Sequence, residues 1–347
     1  MARLLPALLA LLLLASARAD DGGIRIDPMI DAHLRSWDTA DGLPHNMVHD
    51  IVQTPDGYLW FGTWEGVTRF NGYEFEVFAP DNTPMLGDRG VRALAVDDGG
   101  ALWVGTARAG LARLRAGEWQ AFDIEDGLAG NEVLALLAGS DGRLWIGTEA
   151  SGVSVYDGNT FRAIDRSNGL DDNTVVALAE DASGAIWVAG RRRLQRITEA
   201  GVRIFDAADG LGDSAPLSLA VDPRGRILVG TEDGLYRQER DRFERHPRWP
   251  EGLDRSQLAR VLADSSGRIW AGSFSRGIYA ITDERLAGLT TRTGLPNNRI
   301  TAIFEDSEAN VWIGSSGGLT RVNAGLFTTL TQAAGLSDAY VRAVAPI

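Results

Sequence analysis

The phrase Gly57-Tyr58-Leu59-Trp60-Phe61-Gly62-Thr63 recurs along the chain at a nearly constant interval. Its anchor position is filled by Trp60, Trp103, Trp145, Trp187, Leu228, Trp270 and Trp312, so successive copies lie 41 to 43 residues apart. A repeat of that length holds four strands and matches the period of a β-propeller blade. Within the phrase Leu59 and Trp60 are neighbours, and along a strand neighbours face opposite ways. Both are large and apolar, so both faces of the sheet must be covered, as happens when blades stack radially. The Trp series is therefore read as inter-blade core rather than a sugar-stacking ladder. The fold class expected is all-β, a seven-bladed β-propeller of four-stranded antiparallel blades.

The rest of each unit fits around that phrase. A Gly-Leu turn such as Asp41-Gly42-Leu43 precedes a short apolar run, as in Val48–Val52, Val91–Val96 and Ile300–Phe304, which reads as the inner strand of a blade. An Asp/Gly turn then leads into the anchor strand, making a hairpin. A third strand, Val67–Phe70 in unit one, and an outer strand, Tyr73–Phe78, complete the blade. Leu34-Arg35-Ser36-Trp37 precedes the first Gly-Leu turn and has no blade of its own. Added to the seventh set, which ends near Val322, it would close the ring and leave no open sheet edge. The organisation expected is a leader over 1–19, the propeller over 20–325, and the start of a further repeat or a closing segment over 326–347.

Residues 1–19 carry Arg3, the apolar run Leu4–Ala15 and the small-x-small site Ala17-Arg18-Ala19, the pattern of a secretory signal peptide. The run is short for a membrane span, which takes about 20 apolar residues. An exported, periplasmic location follows as the expectation. The formal net charge of −13 argues against a nucleic-acid or anionic-membrane partner. All the positive charge is Arg, and with no Cys there is neither a disulfide framework nor a thiolate nucleophile.

The repeated pattern Asp-Gly-Leu-x-x-Asn-x-Val, then Asp-x-x-Gly-x-Leu-Trp-x-Gly-Thr, then Gly-Leu-x-Arg, resembles the two-component regulator propeller family over residues 33 to 345. The resemblance implies the extracytoplasmic sensor region of a bacterial receptor, with a hybrid histidine kinase or a diguanylate cyclase as output in a full-length protein. It implies no catalysis by the residues present. The partners expected are a small-molecule, glycan or peptide ligand and, for a homodimer, a second copy of the chain; membrane contact would come only through further C-terminal segments. Some units depart from the pattern: unit two has Met85-Leu86-Gly87-Asp88 for the Gly-Leu turn, unit four ends its phrase in Ala189-Gly190-Arg191, and unit five has Leu228 for Trp.

The loop before each inner strand and the loop after each anchor strand fall on one face of a propeller. Unit-specific residues there are the candidate ligand contacts: Trp64, Glu65, Arg108, Glu149, Arg191, Arg192, Glu232, Phe274 and Arg276, with His45 and Asp233 nearby. Aromatic residues beside charges suit a sugar or peptide, by stacking and by forked Arg bonds to carboxylates. No cofactor and no metal is expected. His33, His45, His49 and His246 are scattered as ordinary polar residues, and Asp97-Asp98-Gly99 and Asp171-Asp172-Asn173 read as turns rather than calcium loops. Gly314-Ser315-Ser316-Gly317-Gly318 joins two strands, whereas a nucleophile elbow leads from strand to helix. The alternatives are a secreted propeller enzyme, lyase or glycosidase, and a protein-interaction scaffold. An enzyme would place a tight cluster of acid, base and Arg at the central funnel.

Overall fold

A computed structural model describes residues 27–28 and 32–324, apart from 251, 254 and 284. Its strands form seven sheets, each built on four antiparallel strands that follow sequence order in the first six blades, with a fifth, parallel strand added to blade 6. Blade 1 shows the plan: inner strand Val48–Gln53, second strand Leu59–Thr63, third strand Gly66–Phe70 and outer strand Phe75–Phe78. Tyr73, placed in the outer strand by its alternation, instead lies in the preceding turn and is 89% exposed. Each inner strand touches the next, and the seventh touches the first, so the ring is closed. Among the described residues no helix is long and apolar enough to cross a membrane.

Closure follows the expected route. Ala32–Trp37 pairs antiparallel with Gly318–Ala324 and supplies the outer strand of blade 7. Trp37 then stacks on the anchor Trp312, with ring centroids 5.3 Å apart. Unforeseen is a short strand, Asp27–Pro28, lying parallel to Leu286–Leu289 as a fifth strand of blade 6. Two residues are too few to show a period in the sequence. Residues 1–19 and 326–347 lie outside the described residues.

The repeat letters have physical jobs. All five residues of every second strand are buried, and the six anchor Trp and Leu228 sit between blades. In blades 2, 4, 6 and 7 the indole N–H donates to the turn carboxylate six residues earlier, Asp97, Asp181, Asp264 or Asp306, at 2.7 to 2.9 Å. Thr54 accepts it in blade 1. Blade 3 has Gly139 at that place and leaves the Trp145 indole N–H without a partner. Blade 5 has Leu228 for Trp, and its Asp222 pairs with Arg226 at 2.7 Å.

The glycine of the Gly-Thr pair is a close approach between blades: a Cβ on Gly105, Gly147 or Gly272 would fall 2.5 to 2.6 Å from the first inner-strand side chain of the next blade, Val133, Val175 or Ile300. Ala189 fits that place in blade 4, where the next blade offers Pro216. In the stretches Asp97-Asp98-Gly99 and Asp171-Asp172-Asn173 a carboxylate bonds the local backbone. Asp97 accepts from the Ala101 N–H, and Asp172 from the Thr174 N–H.

Candidate functional site

Each inner strand carries a β-bulge next to its first residue. In blade 1 Val48 pairs with Thr63 and Asp50 with Gly62, so His49 is the extra residue. The same skip recurs in all seven blades. Bulges re-aim side chains, and here they do so around the mouth of the central channel. The bulged residue and the one after it are His49 and Asp50, Arg92 and Ala93, Leu134 and Ala135, Val176 and Ala177, Leu217 and Ser218, Ala259 and Arg260, and Thr301 and Ala302. Blades 3, 4 and 5 thus present aliphatic or small side chains, with Ser218 the one hydroxyl. Blades 6, 1 and 2 present ionisable side chains there, and blade 7, between blades 6 and 1, presents the Thr301 hydroxyl.

That charged arc is knit across blades. Asp50 accepts from the N–H of Ile51 at 2.9 Å and, from blade 2, the N–H of Leu94 at 2.8 Å. Arg260 of blade 6 donates to its neighbour's carbonyl at Ala259, at 2.8 Å, and to the carbonyl of His49, at 3.4 Å. Thr301 of blade 7 donates to the Val48 carbonyl. Asp50 and Arg260 keep partial solvent contact yet are surrounded by protein, as the walls of a narrow channel are. Burial therefore raises Asp50 above the usual carboxylate range and pulls the Arg260 guanidinium down, each opposed by the other's charge. His49 is pushed down to about 4, first by burial and then by the positive fields of Arg260, Arg92, His45 and Arg299. Its Nε2 is buried with no hydrogen-bond partner.

Two aromatic residues flank the arc. Trp64, 36% exposed, meets the His49 ring edge-on at 4.6 Å and lies under Arg92, 5.6 Å from its centroid. Phe274, also 36% exposed, lies under Arg299 at 5.5 Å. In both blades the aromatic side chain comes from the loop after the second strand and the Arg from the next blade.

Except for His45, which precedes the inner strand of blade 1, the sequence-selected residues sit on loops between second and third strands, at the end of the ring where the inner strands begin. They do not form one cluster. Trp64, Phe274 and Glu149 reach the charged arc, Glu149 through an ion pair with Arg92 at 3.1 Å. Glu65 pairs with Arg89 at 3.3 Å, and Arg108 makes a forked contact with Asp88 at 3.1 Å. Arg192 and Glu232 line a separate cleft of about 600 Å³ between blades 4 and 5. Among the described residues neither Arg191 nor Arg192 has an ion-pair partner. The Arg276 backbone N–H is held by the Ser273 hydroxyl at 2.6 Å.

Sequence reasoning missed Asp50, Arg92, Arg260 and Arg299, and took His49 for an ordinary polar residue. The signal was there: aligned on the repeat, the third inner-strand position is Ala in four units and Ser in one, with Asp50 and Arg260 as its two departures. Among the described residues no group of three or more His, Asp or Glu could hold a metal ion.

Comparison with known proteins gives three findings. The model of the two component regulator propeller matches residues 42–65, 127–150, 169–192 and 294–317. No curated protein matches by sequence. Among solved structures, the chain is similar to an extracellular domain assigned to a hybrid two component system of B. thetaiotaomicron, at 21% identity and a TM-score of 0.74 over 85% of this chain and 42% of that one. A second such domain from the same organism gives 20% identity and a TM-score of 0.69, over 84% and 39%. A streptogramin B lyase structure gives 15% identity and a TM-score of 0.67, over 84% and 97%. The chain thus spans about two fifths of the length of the extracellular domains. At these identities the likeness is one of fold.

Proposed function

We propose that the chain, a propeller built of two-component regulator propeller repeats, is the extracytoplasmic ligand-sensing part of a bacterial signal-transduction receptor. The observation that carries this reading is the family match in blades 1, 3, 4 and 7. The charged, aromatic-flanked mouth of the channel supports it, as a built binding surface for which the fold itself has no need. A ligand seated there would touch blades 6, 7, 1 and 2 together. It could act on the output only through different affinities for two arrangements of those blades. The output, a histidine kinase or a cyclase, would lie elsewhere in a full-length protein.

The test is a thermal-shift screen of the purified chain against sugars, peptides and organic acids, followed by the best ligand on the full-length receptor. Binding with a change in kinase or cyclase activity is expected. A ligand that binds tightly and leaves every output unchanged would overturn the reading.

One observation favours a second reading, that of a propeller enzyme: base, acid and Arg do meet at the funnel, in His49, Asp50 and Arg260. Neutral His49 with a free ring nitrogen is the protonation state a general base needs. Mass spectrometry of each binding compound after incubation separates the readings, since a sensor returns its ligand unchanged.

A further inference from the structure

Resting on the sensing reading and narrowing its ligand, we infer that the mouth of the channel at blades 6, 7, 1 and 2 is an anion site. Its occupant carries a carboxylate, sulfate or phosphate group held by Arg260, Arg92 and Arg299, with the His49 Nε2 as a further hydrogen-bond donor and Trp64 and Phe274 at its sides.

The argument is one of unmatched charge. Three guanidinium groups, Arg92, Arg260 and Arg299, come together around the neutral His49 ring in a chain whose formal net charge is −13. Against them stand Glu149, which engages Arg92 at 3.1 Å, and Asp50. Asp50 already spends its oxygens on the N–H groups of Ile51 and Leu94. Arg260 has five N–H donors, and among the described residues only two carbonyls receive them, with no carboxylate within ion-pair distance. Arg299 has a ring beneath it and no ion pair among the described residues. A buried guanidinium is stable when paired and hydrogen-bonded, so these donors describe an absent partner of negative charge. Planar forks suit the paired oxygens of a carboxylate, sulfate or phosphate. A channel mouth with protein walls concentrates that field where a ligand would enter.

The repeat supplies a control that should fold. Ala occupies the third inner-strand position in blades 2, 3, 4 and 7, so Asp50→Ala with Arg260→Ala returns blades 1 and 6 to the common pattern. Calorimetric titration would use citrate, inorganic sulfate, inorganic phosphate and polygalacturonate, with maltose as the neutral arm. At least one anion should bind the unaltered chain and bind the double variant at least ten-fold more weakly, while the melting temperatures of the two stay within a few degrees. Arg299→Gln should weaken the same anion without touching Asp50. Citrate alone would mark a free organic acid, the inorganic ions a bare sulfate or phosphate group, and polygalacturonate alone an acidic polymer; each supports the site. No anion bound at about 10 mM, or equal binding to both variants, overturns it. Maltose binding that the double variant keeps would overturn the anion site and leave the sensing reading standing. An anion bound at this mouth with no effect on receptor output would keep the site and sink the sensing reading.

Discussion

The two halves of the channel mouth have the same backbone and opposite chemistry. Blades 3, 4 and 5 close their bulges with Leu134, Val176 and Leu217 followed by Ala135, Ala177 and Ser218; blades 6, 7, 1 and 2 use His49, Asp50, Arg92, Arg260 and Thr301 at the equivalent places. The apolar half shows what the fold requires there, which is a side chain small enough to pass the next blade. The charged half exceeds that requirement. Burying Asp50 and Arg260 in the wall costs desolvation that four alanines avoid. Where one half of a repeat bears such a cost and the other does not, the difference points to function rather than to folding.

The largest effect should come from moving charge into the apolar half. Ala177→Asp would place an unpaired carboxylate at a half-buried position, and urea denaturation should show a loss of about 2–3 kcal/mol. Should that variant prove as stable as the parent, the two halves would not differ in their tolerance of charge. Next in size, Arg260→Ala alone removes the positive field that opposes the desolvation of Asp50 and should cost about 1–2 kcal/mol, part of it regained on adding Asp50→Ala, because the two charges act on each other through space without an ion pair. Failure of the second substitution to rescue the first would show that the two groups are not coupled.

Acidification should separate the halves more gently. His49 in the fold sits at about 4 against an ordinary value of 6.5, so the unfolded chain binds the proton more readily. Its contribution to stability is whole above pH 6.5 and is lost as the pH falls towards 4, with an upper bound of about 3 kcal/mol. Asp50 is raised, so its term has the opposite sign and favours the fold in acid. His49→Gln should therefore lose less stability than the parent between pH 7 and pH 4.5, by roughly 1–2 kcal/mol in urea midpoints. Equal losses would mean that His49 is protonated in the fold without penalty. The smallest effect belongs to blade 3, where Gly139→Thr should give the orphaned Trp145 indole the hydroxyl partner that Thr54 gives Trp60. A gain of about 0.5–1 kcal/mol in thermal melting is expected; a loss would mean that the 3.1 Å approach of the new Cβ to the indole nitrogen is not relieved.

What the sequence made legible was whatever repeats. The anchor spacing, the buried Trp series and the closing role of Leu34–Trp37 all follow from letters that return every 41 to 43 residues. The candidate site was half legible. Trp64, Phe274 and Glu149 were visible as loop residues peculiar to their units, and the structure sets them against the charged arc. The arc itself hid inside strands, where His49 and Asp50 read as interruptions of an apolar run. Arg260 lies 211 positions beyond His49, and the His49 carbonyl meets it only because the ring closes. Loops advertise function in a sequence, whereas a site on the inner wall of a ring shows only when the units are laid over one another and the columns compared.

Ring closure also sets the order in which this molecule can be made. The strand Ala32–Trp37 is synthesised before any blade, yet its partner Gly318–Ala324 is the last described strand to appear, and the Ser36 and Thr320 hydroxyls that meet at 2.9 Å are 284 residues apart. Until blade 7 exists, the first strand has no sheet to join and blade 7 no outer edge. A contact of such sequence separation is slow to form, because the loop between its ends must close before the pairing is rewarded. The propeller can therefore close only after the strand Gly318–Ala324 has been made, and a chain cut short within the seventh blade would leave an open sheet edge at each end of an incomplete ring.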